Sequence, residues 1–171
     1  MNQHVAHQFC LHSSELLDQA MLKVQHCLQQ LEEEQVWWRP KPEINSVGNL
    51  SLHLCGNLRQ WGIVPFTDQQ DNRDREAEFS KDTRVAKVGL LRDLESTVLE
   101  SQKLWMQLDE AELLKRIVIQ GFEVNLMQAI SHTSSHFVGH AHQIIMLTRM
   151  QLGDDYQFQW SPDADRGQVP I

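Results

Sequence analysis

The chain has 171 residues, 41% of them hydrophobic, and its 23 acidic against 15 basic side chains give a formal charge of -8. That length supports a full core, so the sequence predicts a single domain spanning residues 1–171. The acidic balance excludes a nucleic-acid surface, which needs a basic stripe, and any anionic ligand would have to be drawn by a local cation.

The opening residues Met1-Asn-Gln-His-Val lack the basic-then-apolar profile of a signal peptide, and no apolar run nears the roughly 18–20 residues of a membrane span. The expectation is a cytoplasmic protein with no membrane partner. Cys10, Cys27 and Cys55 show no Cys-x-x-Cys spacing and read as reduced packing residues.

From His4 to Glu34, apolar residues at Cys10, Leu17, Met21, Val24, Leu28 and Leu31 recur at helical intervals and predict one long amphipathic helix. His4, His7, His12 and His26 lie outside or at the edge of that stripe and read as solvated. Trp37-Trp38-Arg39-Pro40-Lys41-Pro42 follows, where two prolines force extended backbone and the paired tryptophans serve to cap the core. Asn45 or Ser46 can cap a second helix to Gly62, with Val47, Leu50, Leu54, Leu58 and Trp61 on one side. His53 falls on the shoulder of that stripe and Asn57 one turn further along, so a polar pair faces partly inward.

Residues 65–83 are polar and charged, and a loop of that length serves either as a lid or as a solvated linker. A third helix is expected from Thr83 to Leu108 on Val85, Val88, Leu91, Leu94, Val98 and Trp105. Asp109 opens a short turn, residues 117–124 permit a brief strand or an extended crossover, and Asn125 opens a last helix that stops at Gly153. The tail, residues 153–171, carries Tyr156, Phe158 and Trp160 without helical spacing and is expected to pack irregularly on the helices.

The last helix concentrates the chemistry, with four of the nine histidines, His132, His136, His140 and His142, within eleven residues of a largely apolar segment. Its apolar stripe is Leu126, Ile130, Thr133, Phe137, Ile144 and Leu147. With Leu126 as zero and about 100° per residue, His140 falls at roughly -40° and His136 at roughly -80°, whereas His132 at about -120° and His142 at about 160° turn outward. An inward pair four residues apart can share one ion, and His53 on another helix offers a third ligand. Three neutral nitrogens would leave a divalent cation with open positions, the arrangement of a catalytic rather than a closed structural metal. The competing reading has the same histidines satisfied by hydrogen bonds in the core.

The residues Asn49-Leu-Ser-Leu-His53-Leu-Cys-Gly-Asn57, Asn72-Arg-Asp-Arg-Glu-Ala-Glu-Phe79 and His136-x-x-x-His140-x-x-Gln143-Ile144 resemble the DinB-like family, above all its branch with an Arg-Asp-Arg-Glu loop. The resemblance covers nearly the whole chain, into Arg166-Gly167. It implies an all-α fold, a four-helix up-down-down-up bundle, often dimeric, with metal ligands at His53, His136 and His140, Gln143 following, and nickel, zinc or iron as the metal. His142 departs from the family's usual glycine before glutamine.

The resemblance also implies thiol-dependent transferases and isomerases, or hydrolases, acting on a small-molecule substrate. A metal that activates water or a low-molecular-weight thiol is thus the first functional expectation. In it, Arg73 and Arg75 anchor a carboxylate of the thiol or substrate and Asn57 orients a bound water. The alternative is a non-catalytic metal- or small-ligand-binding stress-response or scaffold protein, since the nearest candidates for a base on the last helix, Glu123 and His132, sit poorly on its inward face.

Overall fold

The computed structural model describes residues 2–159, and among them the chain is mostly helical. Four long helices carry the fold: α1 is Asn2–Gln30 and, after the short α2 at Glu33–Val36, α3 is Val47–Gly62. After α4 at Arg75–Phe79 come α5 at Lys87–Trp105 and the short α6 at Glu110–Leu113. An antiparallel hairpin, β1 at Arg116–Ile119 and β2 at Phe122–Asn125, leads into α7 at Leu126–Leu152. The long helices pack in a closed ring, α1 on α7, α7 on α3, α3 on α5 and α5 on α1. Among the described residues, no helix is long and apolar enough to cross a membrane.

The first helix is shorter than its apolar spacing predicts. It ends at Gln30, and Glu32 starts a new turn as a reciprocal cap, its backbone N–H donating to Gln35 Oε1 at 2.7 Å. The stripe Cys10, Leu17, Met21, Val24, Leu28 and Leu31 is fully in the core. The three free cysteines are packing groups whose thiol pKa values burial pushes up.

The third long helix keeps most of its expected stripe, with one exception. It begins at Lys87, so Leu90, Leu94, Val98 and Trp105 face inward, while Val88, expected in the stripe, is 75% exposed. The expected loop over residues 65–83 is also not wholly irregular. It holds a 3-10 turn at Val64–Phe66 and then α4, whose N-terminus Asp74 caps by accepting from the Ala77 N–H at 3.0 Å.

Residues 117–124 form the hairpin, closed by Gln120 and Gly121, both with positive φ (53° and 82°). Two such residues make the tight connection whose twist suits paired strands, and glycine takes the second without strain. Ile117, Ile119 and Val124 pack against Trp61 and Ala129, which seats the hairpin over the end of the α3–α7 pair. Within the described part of the tail, Tyr156 packs on the core and Gln157 N–H donates to Gln30 Oε1 at 2.7 Å; Trp160 and Arg166-Gly167 lie outside the described residues.

Asn49 ties the irregular segments to α3. Ser46 caps the helix by accepting from the Asn49 N–H at 3.1 Å, and the Asn49 side-chain oxygen accepts from Ser46 Oγ at 2.6 Å and Arg39 Nη2 at 2.7 Å. Its amide donates to the carbonyls of Glu78 at 2.9 Å and Ser80 at 3.0 Å. Asn49→Ala takes the amide donor from the Glu78 carbonyl, leaves Ser80 only the longer contact from Arg39 at 3.4 Å, and is expected to cost about 3 kcal/mol. Urea unfolding checks it, as a lower midpoint at unchanged slope.

Candidate metal centre

α3 and α7 run antiparallel, so side chains one or two turns apart on each helix meet in pairs. His53 meets His136 and His140, Asn57 meets Thr133, and Trp61 meets His132. The inward faces predicted from angular position therefore bring His53, His136 and His140 together, one buried and two partly buried. Their Nε2 atoms point at a common centre, His136 Nε2 being 3.1 Å from His53 Nε2 and 3.2 Å from His140 Nε2.

The outward nitrogens determine what those inward atoms are. His53 Nδ1 lies 2.9 Å from Glu78 Oε2, and a carboxylate only accepts, so the proton sits on Nδ1 and Nε2 keeps its lone pair. His140 Nδ1 donates to Gln143 Oε1 at 2.8 Å, with the same result. Two lone pairs thus face the Nε2 of His136, which can carry one proton at most. Three converging nitrogens cannot all be satisfied by one another, whereas a divalent cation satisfies all three. Nitrogens bound to one ion at about 2.0–2.1 Å stand roughly 2.9–3.4 Å apart, so the two separations from His136 fit a shared metal.

Glu78 is the residue that the sequence analysis did not single out, although it lies in the quoted loop beside Phe79. Its carboxylate is buried between His53 and Arg73, whose Nε donates to Oε1 at 2.6 Å and Nη2 to Oε2 at 2.8 Å. Burial alone would raise the Glu78 pKa, but the hydrogen bonds from Arg73 and His53 outweigh it and hold the group below its usual value. Arg73 Nη2 also lies 3.0 Å from His53 Nδ1, with Oε2 accepting from both. A Cβ at Gly56 would land on the Glu78 carboxylate, so the close approach of the loop to α3 needs glycine there.

Arg73 is fully engaged, since its Nη1 donates to Gln60 Oε1 at 2.8 Å. It buttresses His53 through Glu78, and each of its three nitrogens already has a partner within the protein. Arg75 is exposed and stacks on Phe79, 5.0 Å from the ring centroid, and Phe79 in turn packs on the His53 ring at 4.7 Å. Asn57 is not brought to the triad; its Oδ1 accepts from Thr133 Oγ1 at 3.0 Å, a bond between the two helices. His142 is exposed, and His132 stacks on Trp61 outside the triad.

Burial first, then the neighbouring imidazoles of His140, His53 and His132, push the His136 pKa down to about 3, and burial also lowers that of His140. A histidine held neutral in the fold but free to protonate when unfolded loses stability as acid is added, because the unfolded chain binds the extra proton. Protein stripped with chelator should therefore keep its stability above about pH 6.5 and lose it steadily toward pH 4. His136→Gln should flatten that slope in urea titrations at successive pH values.

A second expectation concerns the carboxylate. Partners of metal-bound histidines contribute about 10–100-fold to affinity, and Glu78→Gln should weaken zinc binding by that factor in competition titrations. Because the substitution also leaves Arg73 unpaired, the double variant Arg73→Met with Glu78→Gln should recover stability without recovering affinity.

A family model described as "Protein of unknown function (DUF1572)" matches residues 4–163. Among solved structures, the chain is similar to the crystal structure of a conserved protein from Enterococcus faecalis, with a TM-score of 0.70 and 22% identity over 84% of this chain and 96% of that one. That likeness is one of fold. None of the curated proteins matches.

Proposed function

We infer the function from the site, because the chain belongs to the DUF1572 family, described only as a protein of unknown function: it is a metal-dependent enzyme acting on a small molecule. His53, His136 and His140 hold a divalent ion, nickel, zinc or iron. The observation that carries this is the convergence of three Nε2 atoms, with Glu78 and Gln143 holding the protons of His53 and His140 on their opposite ring nitrogens.

A divalent ion with three neutral ligands keeps its charge and open positions and, when bound, lowers the pKa of water or of a low-molecular-weight thiol. The protein's own contribution is orientation. Glu78 keeps the His53 proton on Nδ1, Gln143 does the same for His140, and Phe79 covers one face of the His53 ring. Arg73 keeps Glu78 ionised and in place, so the donor set stays preorganised.

The fold we propose for this reading is a single-domain, DinB-like four-helix bundle in up-down-down-up order, supported by the closed ring of long helices. A homodimer and a cytoplasmic setting without a membrane partner belong to the same proposal through the DinB-like resemblance, and the charge of -8 supports the absence of a nucleic-acid partner.

One observation favours the non-catalytic alternative, a metal- or small-ligand-binding stress-response or scaffold protein. The carboxylate that touches the triad, Glu78, is committed to Arg73 and His53 and cannot also accept a proton from substrate. Two measurements decide. Protein purified without a histidine tag should contain about one metal ion per chain and lose it in His136→Ala; a metal-free wild type with unchanged spectra on cobalt addition defeats the enzyme and the metal-binding protein and leaves only a small-ligand or scaffold role. Turnover of thiols with electrophiles, or of ester and amide substrates, that vanishes in His136→Ala supports the enzyme. Stoichiometric metal with no turnover across the panel leaves the binding protein.

A further inference from the structure

Beside the triad lies a groove whose lining side chains, carried by α3, α7 and the hairpin, are not those of the metal site. It has a volume of about 380 Å³, within the roughly 300–1,000 Å³ of small-molecule sites. α3 supplies Trp61, α7 supplies His132, and the hairpin supplies Gln120, Phe122, Glu123 and Val124. The His132 and Trp61 rings stack at 4.2 Å, and His132 stands 5.8 Å from the His136 ring, so the groove ends one imidazole away from the triad.

Three features mark it as built for a ligand. Phe122 is 64% exposed at its wall, although an aromatic ring on a short hairpin costs least when buried. Trp61 is buried, yet its indole N–H has no hydrogen-bond partner among the described residues. Gln120 holds a left-handed backbone at the hairpin turn, and its amide donates to Gln60 Oε1 at 2.8 Å, the same oxygen that accepts from Arg73. The hairpin wall is thereby fastened to the group that holds Glu78 and His53.

Its chemistry selects the ligand. The apolar surfaces are an indole, a phenyl ring, an imidazole and Val124, which suit a flat apolar group, and the amides of Gln120 and Gln128 add neutral polar edges. The charged lining side chain is Glu123, an anion at the rim 3.6 Å from exposed Arg116, and Arg73 nearby is spent on Glu78. An anionic group therefore meets no free cation there and is disfavoured by the overall charge.

We propose that this groove is the substrate subsite of the metal centre, taking the flat apolar portion of a neutral or cationic small molecule whose reacting group reaches the triad. The proposal rests on the metal reading. It narrows the substrate class, against thiols and substrates whose apolar end carries a carboxylate.

Benzylamine, benzyl alcohol and benzoate are suitable probes, titrated into cobalt-loaded and zinc-loaded protein. Indole N–H resonances report the groove, with Trp61 assigned through Trp61→Phe, and cobalt content is measured separately. Benzylamine and benzyl alcohol should move the Trp61 resonance saturably in the zinc form, with benzoate at least about tenfold weaker, and cobalt should broaden the probe protons. Phe122→Ala should weaken benzylamine about tenfold at unchanged metal content. Cobalt bound at one per chain with no Trp61 shift, with benzoate as tight as benzylamine, or with no broadening overturns the subsite and leaves the metal site standing. Failure to bind cobalt overturns the metal reading, and the substrate role of the groove with it.

Discussion

The site depends on one buried carboxylate. Glu78 receives two hydrogen bonds from Arg73 and one from His53, with the Arg73 and Glu78 side chains only 6% and 8% exposed. An ionised carboxylate in such a place is tolerated only when its charge is matched and its lone pairs are occupied. Once it is matched, it decides which ring nitrogen of His53 faces inward. The charge state of a loop residue thus sets the donor character of a helix residue. Histidine at position 53 without Glu78 would be free to present either tautomer.

The ring of long helices explains why the loop can do this. α3 and α7 bring three imidazoles together but leave their outer edges open, and α4 closes one of them. Asn49 anchors the loop by its backbone at Glu78 and Ser80, while Arg73 anchors it by its side chain at Glu78 and Gln60. The two attachments flank the same segment. What began as a polar stretch between helices is a structural wall of the centre, and its short helix is what aims Glu78 inward.

Much of this was legible in the sequence, for definite reasons. Helical angle alone separates His136 and His140 from His132 and His142, because a helix fixes side-chain direction relative to its apolar stripe. His53 follows from the same argument on α3. Glu78 does not, since it lies in a five-residue helix too short for any periodicity, and its partner Arg73 is placed by tertiary contacts. Arg73 illustrates the limit: residue type suggests an anchor for substrate, yet the guanidinium is consumed internally. On α5 the expected stripe fails at Val88 alone, which is exposed, while Leu90 is buried and Val85 and Leu91 pack partly on the core. The hairpin was ambiguous because four-residue strands carry too few alternations to outweigh neighbouring helix signal.

The antiparallel pairing of α3 with α7 has a consequence for how such a chain can change. Three rungs, His53 with His136 and His140, Asn57 with Thr133, and Trp61 with His132, are set by the register of one helix against the other. Inserting or deleting one residue between positions 53 and 61, or between 132 and 140, turns everything beyond it by about 100° and carries it about 1.5 Å along the axis. No side-chain replacement repairs that. Length variation is therefore confined to the connectors, and the two helical segments behave as a ruler whose graduations are the histidines themselves.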